Sequence, residues 1–280
     1  MQQMSCLIGV LLVVVSASVA QAEPAGKEVL TQQLIKASGL EQQIAQIPAQ
    51  IFSGIAAQKA AMSAEQYNTL LVALKEAFHV QRLTVNVSAR IEKNLDLETM
   101  RAALTWLHSD LGMKITGLEE AASTPQGIQQ LQAYAQKLPA HPAPPIRLQL
   151  AERLDAVTHS TDMTVNIIMA TMLGVATAID AAQLKERRIG AEALKAQLEL
   201  QHPAFLQTYR PMVTASILYI YQGLDDAEMK RYIAFFESPP GRDYQATVNA
   251  ALIGALSDSS ERLGNNLAEA VKHLDKKQGV

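Results

Sequence analysis

The chain has 280 residues with 24 basic and 27 acidic side chains, and its formal net charge is −3. A balanced, slightly acidic chain is not typical of a nucleic-acid-binding protein, which usually carries a strongly basic surface. Cys6 is the only cysteine, so the rest of the sequence has no disulfide, no thiol nucleophile and no thiolate metal ligand. The length suffices for one large or two ordinary domains that are held together by apolar cores.

The N-terminus has the pattern of a secretory signal peptide. Residues 7–15 form an uninterrupted apolar run that is too short to span a bilayer, and an Ala20-Gln21-Ala22 cleavage pattern follows it. Cys6 precedes this run, which excludes a lipobox. The usual basic residues before the run are absent. We predict a signal peptide at residues 1–22, a periplasmic location in a Gram-negative bacterium and no membrane span after cleavage.

From Lys27 onward, apolar residues recur three and four positions apart, which predicts an all-α protein. The first helix is expected to end at Ser38-Gly39, and the next to be interrupted at Pro48. Residues 83–87 alternate as in a strand, but they stand alone among helical neighbours. Because a single unpaired strand is not stable, we predict a helix there as well.

The most informative stretch is residues 224–244, LDDAEMKRYIAFFESPPGRDY. Asp225 and Glu228 form a capping box at the start of a predicted helix whose apolar face includes Met229 and Phe236. The helix ends at Ser238-Pro239-Pro240-Gly241, where the prolines cannot continue it, and Gly241 is expected to be left-handed. A second helix begins after this corner.

Residues 95–115, LDLETMRAALTWLHSDLGMKI, align with this stretch without a gap. The caps, the methionines (Met100 and Met229), the serines and the corner glycines are identical, and Trp106 takes the place of Phe235. What repeats is structural, so we predict two related helical halves. The repeated motif comprises Asp225, Glu228, Met229, Phe235, Phe236, Ser238, Pro239 and Gly241 in the second half, and Asp96, Met100, Trp106 and Gly112 in the first.

Four prolines within residues 139–145 predict an extended linker between the halves. The expected organisation is therefore a signal peptide (1–22), a first half (23–138), this linker (139–145) and a second half (146–280). Residues 163–182 form the most apolar helix after the signal peptide. Their polar interruptions favour a central core helix over a membrane span.

The acidic cap, the apolar-aromatic helix and the Ser-Pro-x-Gly turn of residues 224–244 resemble those of exported bacterial proteins in the domain of unknown function 2059 family (DUF2059). The resemblance is carried by Asp225, Glu228, Phe235, Phe236, Ser238, Pro239 and Gly241, and the first half keeps only part of the pattern. It implies an all-helical periplasmic protein and brings no established activity.

The sequence contains no recognisable catalytic motif, and its six histidines are scattered without the i, i+3 or i, i+4 spacing of a helical metal pair. We therefore predict no catalytic residue, no metal and no cofactor. Helix capping already accounts for Asp225 and Glu228. Tyr232, Phe235, Phe236 and Tyr244 are interpreted as core residues, with a ligand pocket as the alternative.

Two classes of function agree with these features. The first is a non-enzymatic periplasmic module that binds a protein partner or a lipid-like, apolar ligand. The second is a carboxylate-dependent hydrolase of the cell envelope, which needs two acidic groups in one cleft.

Overall fold

The computed structural model describes residues 26–56, 63–181 and 188–278, and within these ranges the chain is all-α, with no β-strand. The predicted fold class is confirmed. The predicted signal peptide, residues 1–22, lies outside the described residues.

The helices before the proline-rich segment are α1 (Lys27–Ala37), α2 (Leu40–Ala56), α3 (Ala64–Ala77), α4 (Val80–Asn94), α5 (Leu97–Leu107), α6 (Asp110–Ser123) and α7 (Pro125–Lys137). Those after it are α8 (Pro145–Thr158), α9 (Ser160–Ala181), α10 (Ala191–Glu199), α11 (His202–Ile220), a 3₁₀ turn (Tyr221–Gly223), α12 (Asp226–Glu237) and α13 (Pro239–Gln278).

Tertiary packing determines the structure of the strand-like residues 83–87 and of the segment around Pro48. The strand-like residues lie in α4, where Leu83, Val87 and Ile91 are buried at helical spacing. Pro48 does not interrupt the second helix but lies inside α2. The predicted break is wrong because Ile44 and Ile51, on either side of the proline, are both in the core. Their burial outweighs the one hydrogen bond that a proline removes.

Helices from both sides of the proline-rich segment share one hydrophobic core. The 40-residue helix α13 packs against α9 and also against α3, α4 and α5 of the first segment. Pro145, the last residue of the expected linker, is the first residue of α8, where proline is well tolerated. The proline-rich segment therefore joins two parts of a single core.

The corners between α5 and α6 and between α12 and α13 have the same hydrogen bonds. Ser109 Oγ accepts from the Gly112 N–H at 3.1 Å, and Ser238 Oγ accepts from the Gly241 N–H at 3.2 Å. The Thr124 hydroxyl forms a third corner of this kind with Gly127. These contacts cap the helix that follows each corner.

The predicted left-handed conformation of Gly241 is wrong, because the positive-φ glycines of the described chain are Gly39 and Gly190. Glycine is required at this corner, and at the corner before α6, because the backbone of the preceding helix comes too close for a side chain. A Cβ at Gly241 would overlap the carbonyl oxygen of Phe235, and one at Gly112 would overlap that of Trp106. The glycine lets the end of one helix approach the start of the next.

The apolar helix α9 is less central than expected. It packs along α13 and against α11, but in the described part its fully buried residues are Thr161, Val165 and Gly174. Met172 is exposed and the other described side chains are half-buried. The prediction of a central core helix is therefore wrong in detail. None of the described helices combines the length and apolarity needed to cross a membrane.

Candidate functional site

A cavity of about 410 Å³, partly open to solvent, lies where helices from both segments meet. Its walls come from the turn between α1 and α2, from α5, α6, α8 and α9, and from α11 to α13. Its walls combine apolar and aromatic side chains with a few polar groups, as small-molecule sites do, which makes it the first candidate for a functional site.

Glu119 of α6 is the acidic residue of this cavity. It follows Leu111 and Ile115 at intervals of four, and because both of these are buried, the carboxyl group faces the interior. The Tyr221 hydroxyl donates to Glu119 Oε1 at 2.7 Å, and the Tyr232 hydroxyl donates to the same oxygen at 2.9 Å. The two tyrosines thus fix the position of one carboxyl oxygen.

The other oxygen, Glu119 Oε2, accepts no hydrogen bond from the described residues. It is also not sealed in the interior, since Thr31 Oγ1 is the one described side-chain atom that is both fully buried and unpaired. Glu119 is surrounded by protein, yet it keeps part of its surface accessible because it lines the cavity. Oε2 is therefore available to a ligand.

Burial changes the proton affinities of these groups. Loss of hydration raises the pKa of Glu119, although the hydrogen bonds from Tyr221 and Tyr232 oppose the shift. Loss of hydration, reinforced by the nearby Glu119 carboxylate, also raises the pKa of both tyrosines well above the usual range. Burial raises the pKa of Tyr244 to about 12. The tyrosines therefore stay protonated and act as hydrogen-bond donors.

Aromatic rings line the same cavity. Trp106 of α5 and Phe235 of α12 are stacked, with their ring centroids 4.8 Å apart and their planes 7° apart. Tyr232 and Phe236 are 5.0 Å apart, and Tyr232 and Tyr221 are 5.5 Å apart. The two residues that correspond in the sequence alignment of the halves, Trp106 and Phe235, thus meet at the cavity.

The turn that carries Tyr221 is held from outside the cavity. Arg147 of α8 donates through Nη2 to the Tyr221 carbonyl at 2.7 Å and through Nη1 to Asp226 Oδ1 at 3.1 Å. A rigid second layer of this kind keeps the tyrosine hydroxyl within reach of Glu119.

The opposite wall is neutral and polar. Gln245 and Asn249 of α13 both donate to the Thr158 carbonyl, at 3.3 and 3.1 Å. Among the residues described as lining the cavity, Glu119 is the one acidic side chain, and none is Lys, Arg or His. The cavity therefore combines one carboxyl group with aromatic and neutral polar surroundings. Its described lining residues do not include the pair of carboxyl groups that glycoside hydrolysis uses.

The predicted capping box is confirmed. Asp225 Oδ1 accepts from the Glu228 N–H at 2.7 Å, and Glu228 Oε2 accepts from the Asp225 N–H at 2.9 Å. The first of these hydrogen bonds is the main cause that lowers the pKa of Asp225, and a hydrogen bond from Lys114 is the main cause that lowers the pKa of Glu228. Asp96 caps α5 in the same way, through the Thr99 N–H at 2.9 Å. The carboxylates of the motif therefore stabilise helix starts.

The apolar residues of the motif divide between core and cavity. Met100 and Met229 are fully buried in the core. Trp106, Phe235 and Phe236 line the cavity, as do Tyr232 and Tyr244, which we had interpreted as core residues. Phe236, Tyr232 and Tyr244 are core residues and pocket residues at once, since they are buried and also form part of the cavity wall.

In the described part of the chain no group of three or more potential ligands forms a metal site.

Sequence reasoning missed Glu119 and Tyr221. A signal for Glu119 was present in the alignment of the halves, because the offset that pairs Met100 with Met229 also places Glu119 opposite Val248. A carboxyl group in register with a buried valine does not fit the pattern of like residues that the alignment otherwise shows. Tyr221 lies just before the aligned stretch as Glu119 lies just after it, and the same offset places Tyr221 opposite Glu92.

Comparison with protein-family models, with curated proteins and with solved structures gave no match.

Proposed function

We propose that this chain is an exported periplasmic binding protein without catalytic activity, and that the cavity around Glu119 takes a small molecule with an apolar body. The observation that supports this most directly is Glu119 Oε2, an unpaired carboxyl oxygen at the wall of a cavity of about 410 Å³. Small-molecule sites typically have volumes of roughly 300–1,000 Å³ and combine apolar walls with a few polar groups.

The composition of the wall favours binding over hydrolysis. A carboxylate-dependent hydrolase needs a second acidic group in the cleft, and Glu119 is the one acidic residue among the described lining residues. A protein partner is the other ligand class that the sequence leaves open. A cavity of about 410 Å³ suits a small molecule better than a polypeptide.

Trp106 provides a direct test, because it is the only tryptophan of the chain and lines the cavity. The protein is titrated with the apolar probe N-phenyl-1-naphthylamine, and quenching of Trp106 fluorescence is recorded. We expect saturable quenching in the wild type. Quenching that rises linearly with probe concentration, without saturation, would contradict the proposal.

Two substitutions on α9 distinguish cavity binding from surface binding. Thr164 and Thr171 are both half-buried and both donate to the carbonyl four residues earlier, but Thr164 lines the cavity and Thr171 is not among its lining residues. Thr164→Phe should weaken probe binding by about tenfold or more, equivalent to about 1.4 kcal/mol. Thr171→Phe should leave it unchanged. Equal effects of the two substitutions would place the probe elsewhere.

A further inference from the structure

The described wall of the cavity has one acidic side chain and no basic one, and this restricts the charge of the ligand. Glu119 can carry a negative charge, and no basic side chain is among the described residues that line the cavity. The titratable groups that shift the pKa of Glu119 are Tyr221, Tyr232 and Glu120, and none of them can supply a positive charge. An ionised Glu119 therefore has no cationic partner within the described wall.

The two oxygens of Glu119 differ in their surroundings. Oε1 accepts from both tyrosine hydroxyls at 2.7 and 2.9 Å, whereas Oε2 has no donor among the described residues. The tyrosines hold the carboxyl group in one orientation without satisfying the oxygen that remains accessible. A ligand that donates to Oε2 would complete the hydrogen bonding of the group.

The aromatic rings of the cavity also favour a positively charged ligand. Trp106, Tyr221, Tyr232 and Phe236 line the cavity together with Glu119. Aromatic faces attract cations, and sets of such rings recognise ammonium groups in several binding proteins. An anionic ligand would meet both the Glu119 carboxylate and the electron-rich rings.

From this combination we infer that the ligand is a small organic amine, whose ammonium group pairs with Glu119 Oε2 and whose apolar part fills the cavity. The inference rests on the proposed function and adds the chemical class of the ligand. A neutral molecule of the same shape can occupy the same space. It cannot offset the charge of Glu119, so it should bind more weakly.

Matched pairs of probes test the charge separately from the shape. The pairs are 2-phenylethylamine with 2-phenylethanol, hexylamine with hexan-1-ol, and 3,3-dimethylbutylamine with 3,3-dimethylbutan-1-ol. Each compound is titrated into the full chain at pH 7.5 while Trp106 fluorescence is followed. We expect the amine to bind at least about tenfold more tightly than its alcohol in one or more pairs.

Equal binding of amine and alcohol in every pair would overturn the inference and leave the proposed function standing. No Trp106 response to any of the six compounds would contradict the proposed function itself.

Glu119→Gln is the matched variant, because its amide oxygen can still accept from Tyr221 and Tyr232 while the charge is lost. We expect it to reduce the preference for the amine over its alcohol to about twofold or less. A preference that survives in Glu119→Gln would show that another group recognises the ammonium, and would overturn the assignment to Glu119.

A measurement on the wild type covers the case in which the variant does not fold. An alkylamine stays protonated below a pH of about 10, so Glu119 is the group that changes charge at lower pH. Amine affinity should fall as the pH is lowered through the raised pKa of Glu119, while alcohol affinity stays constant. Parallel pH profiles for amine and alcohol would contradict the inference.

Discussion

At the scale of single residues, Glu119 is the polar group that distinguishes the interior of this protein. Its carboxyl group is fixed by two tyrosine hydroxyls at one oxygen and reaches the cavity with the other. Burial favours the neutral acid, so ionisation of Glu119 costs more in the folded chain than in water. The protein keeps a costly group at this position, which is characteristic of functional sites.

Glu119 should make the stability of the fold depend on pH. Because its pKa is raised above the ordinary value of 4.5, the folded state holds the proton more tightly than the unfolded state. The contribution of Glu119 to stability is therefore fully present below pH 4.5 and is lost as the pH rises through the raised pKa. The loss amounts to about 1.4 kcal/mol for each unit by which the pKa is raised.

Glu119→Gln removes this titration and keeps an oxygen that can accept from both tyrosines. We expect the free energy of unfolding of the variant, relative to the wild type, to increase between pH 4 and the raised pKa of Glu119. Urea denaturation at a series of pH values measures the difference. Identical pH profiles for the two proteins would show that Glu119 does not titrate in the way its burial requires.

At the scale of elements, the helix corners show what sequence patterns capture and what they miss. The caps at Asp225 and Asp96 follow from residue type and spacing, and both are present. The role of Gly241 was predicted from the backbone preference of glycine, whereas the actual requirement is close approach to the Phe235 carbonyl. A contact between two helices cannot be derived from a preference of one residue.

Gly241→Ala tests this requirement against a matched glycine. A Cβ at Gly241 would overlap the Phe235 carbonyl, so the helices must shift, and we expect a loss of about 1–3 kcal/mol. Gly117 lies in α6 with no atom within 4 Å of a Cβ, so Gly117→Ala should stabilise the protein by about 0.5–1 kcal/mol. The midpoint of urea unfolding measures both. A stabilising Gly241→Ala would contradict the close approach.

The serine caps allow the two corners to be compared directly. Ser109 and Ser238 make the same pair of hydrogen bonds, at 3.1 and 3.2 Å to the glycine N–H and at 2.6 Å in each case to a carbonyl of the preceding helix. Ser109→Ala and Ser238→Ala should therefore each cost about 0.5–2 kcal/mol. Thermal unfolding of the two variants gives the comparison. A cost at one corner and none at the other would separate the corners energetically despite their common geometry.

At the scale of the whole molecule, helix content and helix starts follow from the sequence, but the arrangement of the helices does not. Apolar spacing indicates which face of α12 is buried, and that face is buried as expected. It does not indicate which helices meet. For this reason the sequence does not locate the cavity, which takes its walls from both segments, and a ligand pocket at Tyr232 and Tyr244 was only the alternative to core packing. The expected helix break at Pro48 and the expected central position of α9 were wrong because tertiary packing outweighed the local sequence preference.

The shared core predicts that the two segments unfold together. Leu83 of α4 and Leu256 of α13 are both fully buried, and these helices pack on each other. Leu83→Ala and Leu256→Ala should each destabilise one common transition by about 2–5 kcal/mol. Trp106 fluorescence and far-ultraviolet circular dichroism should follow that transition with the same midpoint. Two separate transitions, each sensitive to one substitution, would contradict a single core.

The measurement that tests the central claim most directly is native mass spectrometry of the protein purified without denaturation from the periplasm of an exporting host. If the cavity around Glu119 is a ligand site, a fraction of the wild-type chain should carry one small molecule, which dissociates on unfolding. The same species should be lost from Thr164→Phe and kept by Thr171→Phe. A wild-type spectrum that contains only the bare chain, or an adduct that persists in Thr164→Phe, would contradict this account of the cavity.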